Sequence, residues 1–119
     1  MNGAIVIRWG ASIPGREAKG LEVFGKAVAR FEEFAKSGRI SSHREYFAVT
    51  GRDGGFMIVE GAVSELLAIV GEDETLKLNG QAAAIVEDFE TQVYAGGDDQ
   101  SVQSLMGDYV GSLQEIGYM

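Results

Sequence analysis

Ser42-His43-Arg44-Glu45-Tyr46-Phe47-Ala48-Val49-Thr50-Gly51-Arg52-Asp53-Gly54-Gly55-Phe56-Met57-Ile58-Val59-Glu60 reads as two strands folded about one turn. Aromatic and β-branched residues dominate both ends, and the five residues Gly51–Gly55 between them are rich in glycine. Such a connection between two such runs signals a hairpin. The reading predicts strands over Ser42–Thr50 and Phe56–Glu60.

Upstream, Leu21, Phe24, Val28, Phe31 and Ala35 recur at spacings of three and four, which lines one face of a helix over Arg16–Ser37. Glu22–Lys26 and Glu32–Lys36 are favourable pairs four apart, and Gly38 is a natural stop. Pro14-Gly15 breaks the chain before this helix, and the β-branched run Ala4–Arg8 reads as a first strand. Downstream, Ser64 is positioned to cap a helix from Glu65 to about Val70. Gly71 and three acids interrupt it, and the periodicity resumes from Leu76 towards Ile85, predicting a helix in two pieces. Val86–Tyr94 reads as a fourth strand. Gly96-Gly97 turns the chain, and Asp98 or Asp99 caps a last helix carrying Val102, Leu105, Tyr109, Leu113 and Ile116 on one side.

The order is βαββαβ plus a helix. Right-handed crossovers make this an α+β, ferredoxin-like fold: a four-stranded antiparallel sheet with two helices on one face. Residues 1–97 form that domain. Residues 98–119 form a C-terminal helix that packs either on the same domain or on a partner subunit.

The 119 residues suit one domain with its own core. No apolar run approaches the length of a bilayer span, and the N-terminus lacks a signal-peptide pattern, so a cytoplasmic protein is expected. With no cysteine and one histidine, disulfides, thiolate catalysis and histidine-cluster metal sites are excluded, and no cofactor is expected. A net charge of −8 argues against nucleic-acid and anionic-membrane partners. The charge is uneven: residues 1–59 hold nine Lys/Arg against six Asp/Glu, whereas residues 60–119 hold one against twelve. Two complementary surfaces follow, which suit a subunit contact.

Alternation sorts the strands into two faces. Ile5, Ile7, Phe47, Val49, Met57, Val59, Phe89 and Val93 form the helix-facing set. The opposite parity holds Ala4, Val6, Arg8, Arg44, Tyr46, Ala48, Phe56, Ile58, Glu60, Asp88, Glu90, Gln92 and Tyr94. Left bare, Val6, Tyr46, Phe56, Ile58 and Tyr94 would expose an apolar patch of a size monomers rarely show. A homodimer, or cover by the last helix, is therefore expected.

The layout, together with Gly54-Gly55-Phe56-Met57-Ile58-Val59-Glu60-Gly61 and Val86-Glu87-Asp88-Phe89, resembles the dimeric α/β-barrel superfamily over roughly residues 4–97. Its members include antibiotic-biosynthesis-type monooxygenases and uncharacterised small bacterial proteins. The resemblance implies two sheets packed face to face, and a cavity between sheet and helices that holds a small molecule. Haem-degrading relatives use an Asn, Trp and His set. Trp9 and His43 fall on different strands without a matching motif, so haem chemistry is set aside.

Among candidate site residues, Arg8, Arg44, Tyr46, Glu60, Glu90 and Tyr94 share the second sheet face. Two arginines there can clamp a carboxylate while an acid such as Glu60 serves as base. The same groups suit an interfacial salt-bridge network, because buried charges must be paired. His43 is a candidate general base, although its parity turns it towards the helices near a strand start. Trp9 lines a ligand cavity or anchors the core. Arg16 and Lys19 at the long helix's start can hold an anion, or simply open the helix. Three functions remain open: a small-molecule-binding dimer, a cofactor-free monooxygenase or isomerase, and a structural module. An apolar pocket with converging Arg, His or acid groups favours the enzyme, an aliphatic pocket the binder, and a filled interior the module.

Overall fold

Every second residue of Asn2–Trp9 (β1) is apolar and turned inward, and this strand forms the spine of the molecule. In the computed structural model, which describes residues 1–119, β1 is flanked by Gly55–Ala62 (β3) and Glu90–Ala95 (β4), and Ser42–Phe47 (β2) adds to the far side of β3. All three pairings are antiparallel, in the order β2-β3-β1-β4. This is the ferredoxin-like α+β arrangement that the hairpin reading predicted.

One sheet face is covered by Glu17–Lys36 (α1), Val63–Val70 (α2) and Asp73–Ala83 (α3). Ile5, Ile7, Met57 and Val59 from the sheet meet Phe31 and Phe34 of α1, Ile40, and Leu66 and Ile69 of α2 in the main core. The register pairs Ile5 with Val59 and Val93, and Val6 with Ile58 and Gln92, so the two parity sets stand on opposite faces as expected.

The helix between β3 and β4 is broken as its sequence indicates, at Gly71-Glu72. It begins one residue after β3 ends, with Ala62 rather than Ser64 at its N-cap. No turn separates strand from helix, so Ser64 is already helical.

Three other expectations are corrected. The second strand stops at Phe47, because the Ala48 N–H bonds the Gly54 carbonyl at 2.9 Å and closes the loop early. Val49 therefore sits in the loop, 93% exposed, and not on the helix-facing side. The fourth strand starts at Glu90, not Val86. Residues 85–87 instead bond the segment after β1, with Gly10 N–H to Glu87 O at 2.7 Å and Ile13 N–H to Ile85 O at 2.8 Å. Asp88 then takes a φ of 54°, a left-handed turn that redirects the chain into β4, so it is not part of the outer strand face. Leu21, expected within the apolar face of α1, is exposed.

Asp99–Glu115 (α4) is capped by Asp98, whose carboxylate accepts from the Ser101 N–H at 2.7 Å. Asn2 ties the same turn to β1: its side-chain amide donates to Asp98 at 2.9 Å and its backbone N–H to Ser101 Oγ at 2.9 Å. Beyond this anchor α4 leaves the body, and its only helix or strand neighbour of any extent is β4. The Cα radius of gyration is 16.7 Å, against roughly 13.5 Å for a compact chain of this length. The projecting helix accounts for the excess.

Candidate functional site

α1 rests on β2 and α3, and between it and the sheet lies a cavity of about 490 Å³. That volume falls within the range of natural small-molecule sites. Ile5, Ile7 and Met57 form its floor, α1 contributes Phe24, Ala27 and Phe31, and α3 contributes Leu78 and Ala82. The glycines at its rim are needed for close approach. A Cβ on Gly54, whose φ is 132°, would fall 2.3 Å from the Trp9 carbonyl oxygen. One on Gly55 would fall 2.9 Å from the Trp9 ring and 2.2 Å from Tyr46 O.

Trp9, Phe24 and Phe47 form an edge-to-face triangle in the wall, with ring centroids 5.2–5.9 Å apart. Such contacts fix ring orientation. Polar groups in the lining are few. Arg30, Thr75, Asn79 and Thr91 stand among the apolar residues, and Glu17 and Asp53 also contribute. Two polar atoms of these residues are buried without a partner, Arg30 Nε and Thr91 Oγ1. A buried donor or acceptor left in this state costs about 1–3 kcal/mol.

The remainder of Arg30 is held firmly. Its Nη2 bonds Glu72 at 2.7 Å and Thr75 Oγ1 at 3.0 Å. Arg39 reaches Glu72 at 2.8 Å and Glu65 at 2.5 Å, and both guanidinium groups lie over the Phe34 ring, 4.7 and 4.6 Å from its centroid. The Arg39 hydrogen bond draws the Glu72 carboxyl below its ordinary range, against desolvation, with Arg30 adding to it. This cluster ties α1 to the break between α2 and α3, and so fixes one wall of the cavity.

Of the residues singled out from sequence, only Trp9 lines the cavity. Arg8, Arg44, Tyr46, Glu60, Glu90 and Tyr94 lie together on the opposite sheet face. There Arg44 pairs with Glu60, Tyr46 stacks on Phe56 with centroids 4.8 Å apart, and Tyr94 donates to Gln92 at 2.8 Å. The Tyr94 hydroxyl beside it raises the Arg8 guanidinium above its ordinary value, against desolvation, with Glu90 adding to it. His43 faces the helices, its side chain 9% exposed, bridging Glu45 of its own strand and Glu32 of α1. Burial pushes its pKa down, but the bonds to Glu45 and Glu32 outweigh this and leave it raised. Arg16 donates to the Ala84 carbonyl at the other end of α3. No group of three or more His, Asp or Glu side chains is placed to hold a metal.

Arg30 and Thr91 were not anticipated. Arg30 carries a legible signal, since it sits inside the apolar face of α1 between Ala27 and Phe31. Thr91 carries none beyond its parity in β4.

Against known structures, the chain is similar to SnoaB, a cofactor-independent oxygenase from Streptomyces nogalater. The identity is 14%, the TM-score 0.60, and the match covers 82% of this chain and 94% of that one. It is equally similar to a conserved protein from Methanosarcina mazei Go1, at 14% identity and a TM-score of 0.61, covering 79% and 92%. The likeness is one of fold, a four-stranded antiparallel sheet with helices in an α+β arrangement. No family model and no curated protein matches the chain. No helix is long and apolar enough to cross a membrane.

Proposed function

We propose that this chain binds a small, ring-bearing organic molecule in the cavity between sheet and helices, as one half of a homodimer. The observation that carries the reading is a roomy, mainly apolar cavity with the Trp9–Phe24–Phe47 rings in its wall and few polar residues in its lining. The Trp9–Phe24–Phe47 triangle suits a flat apolar body. Arg30 and Thr91, polar residues in an otherwise mainly apolar lining, suit a polar group on it. An open interior of this kind speaks against a purely structural module.

The dimer rests on the other sheet face. Tyr46, Phe56 and Tyr94 are 41%, 39% and 41% exposed there, beside Val6 and Ile58. Two such faces packed together would cover them, and the polar set around Arg8 and Arg44 would serve assembly.

A second reading, a cofactor-independent oxygenase, is favoured by Arg30 and the acids Glu17 and Asp53 in the same lining, and by the activity of the SnoaB neighbour. Oxygen uptake with ring-hydroxylated aromatic compounds tests it.

Trp9 is the only tryptophan, so its emission reports on the cavity. Titration with 1-anilinonaphthalene-8-sulfonate, a ring-bearing anion, is expected to change Trp9 emission saturably, with the response lost in Ala27→Phe, which fills the cavity. No saturable change, or an unaltered one in Ala27→Phe, would overturn the reading.

A further inference from the structure

We infer that α4 is an arm that lies on a second copy of this chain, resting on the homodimer proposed above. Three observations lead there. First, α4 presents a continuous apolar stripe to solvent. Val102, Leu105, Met106, Tyr109, Val110, Leu113 and Ile116 follow one another at steps of one and three, the spacing of a single helix face. Within it Met106, Tyr109 and Ile116 are 55%, 60% and 65% exposed.

Second, α4 lacks the means to stand alone. It contains Gly107 and Gly111, three serines, and no lysine, arginine or alanine. Each glycine weakens a helix by about 1 kcal/mol relative to alanine, and isolated helices of this length are marginal even with good formers. Its own domain supports only its first turn.

Third, the anchor fixes its direction. Asp98, Ser101 and Asn2 lock the first turn to the start of β1, and Ser101 is buried. Held there, α4 runs away from its own body and leaves its own outer sheet face bare. The choice between own and partner subunit, open in the sequence, is thereby made in favour of the partner.

The chemistry of the occupant agrees. Residues 98–119 carry four acids and no cation, while residues 1–59 carry a net charge of +3. Arg52 of the β2–β3 loop makes no ion pair within its own chain, nor does Lys36. The acidic arm is thus complementary in charge to the cationic half of a second copy.

The chain has no cysteine, so one introduced thiol is labelled uniquely. Met106→Cys carries a benzophenone-maleimide on the apolar stripe, and Ser104→Cys carries it on the opposite face. Irradiation of the full chain at micromolar concentration is expected to give a covalent species of twice the chain mass from Met106→Cys, at least fivefold more than from Ser104→Cys. Native mass spectrometry of the unmodified chain is run alongside. A native dimer with no excess cross-linking from Met106→Cys would overturn the arm and leave the sheet-face dimer standing. A native monomer would overturn both.

Discussion

His43 Nε2 lies 2.7 Å from the Glu32 carboxylate of α1, while its Nδ1 meets Glu45 along β2. One ring thus fastens the long helix to the sheet edge. Only the imidazolium can donate to both carboxylates at once.

Because the folded pKa of His43 is raised, its charge-linked contribution is fully present below the unfolded value of about 6.5 and is lost as pH rises through the folded value. His43→Gln is expected to lower the urea midpoint most in mildly acidic buffer, with the gap to the parent chain narrowing as pH rises above that range. The sole imidazole resonance should titrate above 6.5. A midpoint below it would contradict the bridge.

Gly55→Ala is expected to destabilise the fold by roughly 3 kcal/mol or more, above ordinary overpacking because backbone atoms cannot yield. The new Cβ would meet Tyr46 O and the Trp9 ring. Thermal unfolding followed by Trp9 emission should show a loss of about 10 °C in Tm.

Phe34 is buried beneath two guanidinium groups. Phe34→Ala should cost about 3–5 kcal/mol in denaturant titration, and Phe34→Leu distinctly less. Glu72, whose pKa is lowered chiefly by Arg39, contributes stability that is present above the ordinary carboxylate range and is lost as pH falls through its folded value. Glu72→Gln should therefore flatten the acid limb of the stability profile, as seen by circular dichroism.

Phe56→Asp places a lone charge in the proposed sheet-to-sheet contact. Light scattering at micromolar concentration should then give the mass of one chain, with the far-ultraviolet spectrum unchanged. A dimer mass in this variant would mean that the sheets do not meet through Phe56.

The elements whose side chains alternate against a packed partner were legible from sequence. β1 and β3 are flanked on both edges, so Ile5, Ile7, Met57 and Val59 show strict parity. Errors cluster where a long-range backbone bond decides the outcome. Nothing in Val86-Glu87-Asp88-Phe89 announces that Glu87 pairs with Gly10 and Ala11, or that Asp88 adopts a positive φ. The broken helix was legible because Gly71 and its acids interrupt a clear period, but Ser64 misled because β3 runs directly into α2. The candidate site was legible only at Trp9. Apolar periodicity cannot separate a core face from a cavity wall, so α1 read as fully packed although Leu21 is exposed and Phe24 borders empty space. Arg30 joins the site because α1 stands off the sheet, a distance no local pattern encodes.

The space under α1 also bears on mechanics. Unfolding eliminates internal voids, so hydrostatic pressure favours the unfolded chain in proportion to the empty volume it removes. The space of about 490 Å³ between sheet and helices opens to solvent, and any part of it that water leaves empty adds to that loss. A molecule seated there would displace that water or fill that void, so the volume change of unfolding reports occupancy without any knowledge of what the occupant is.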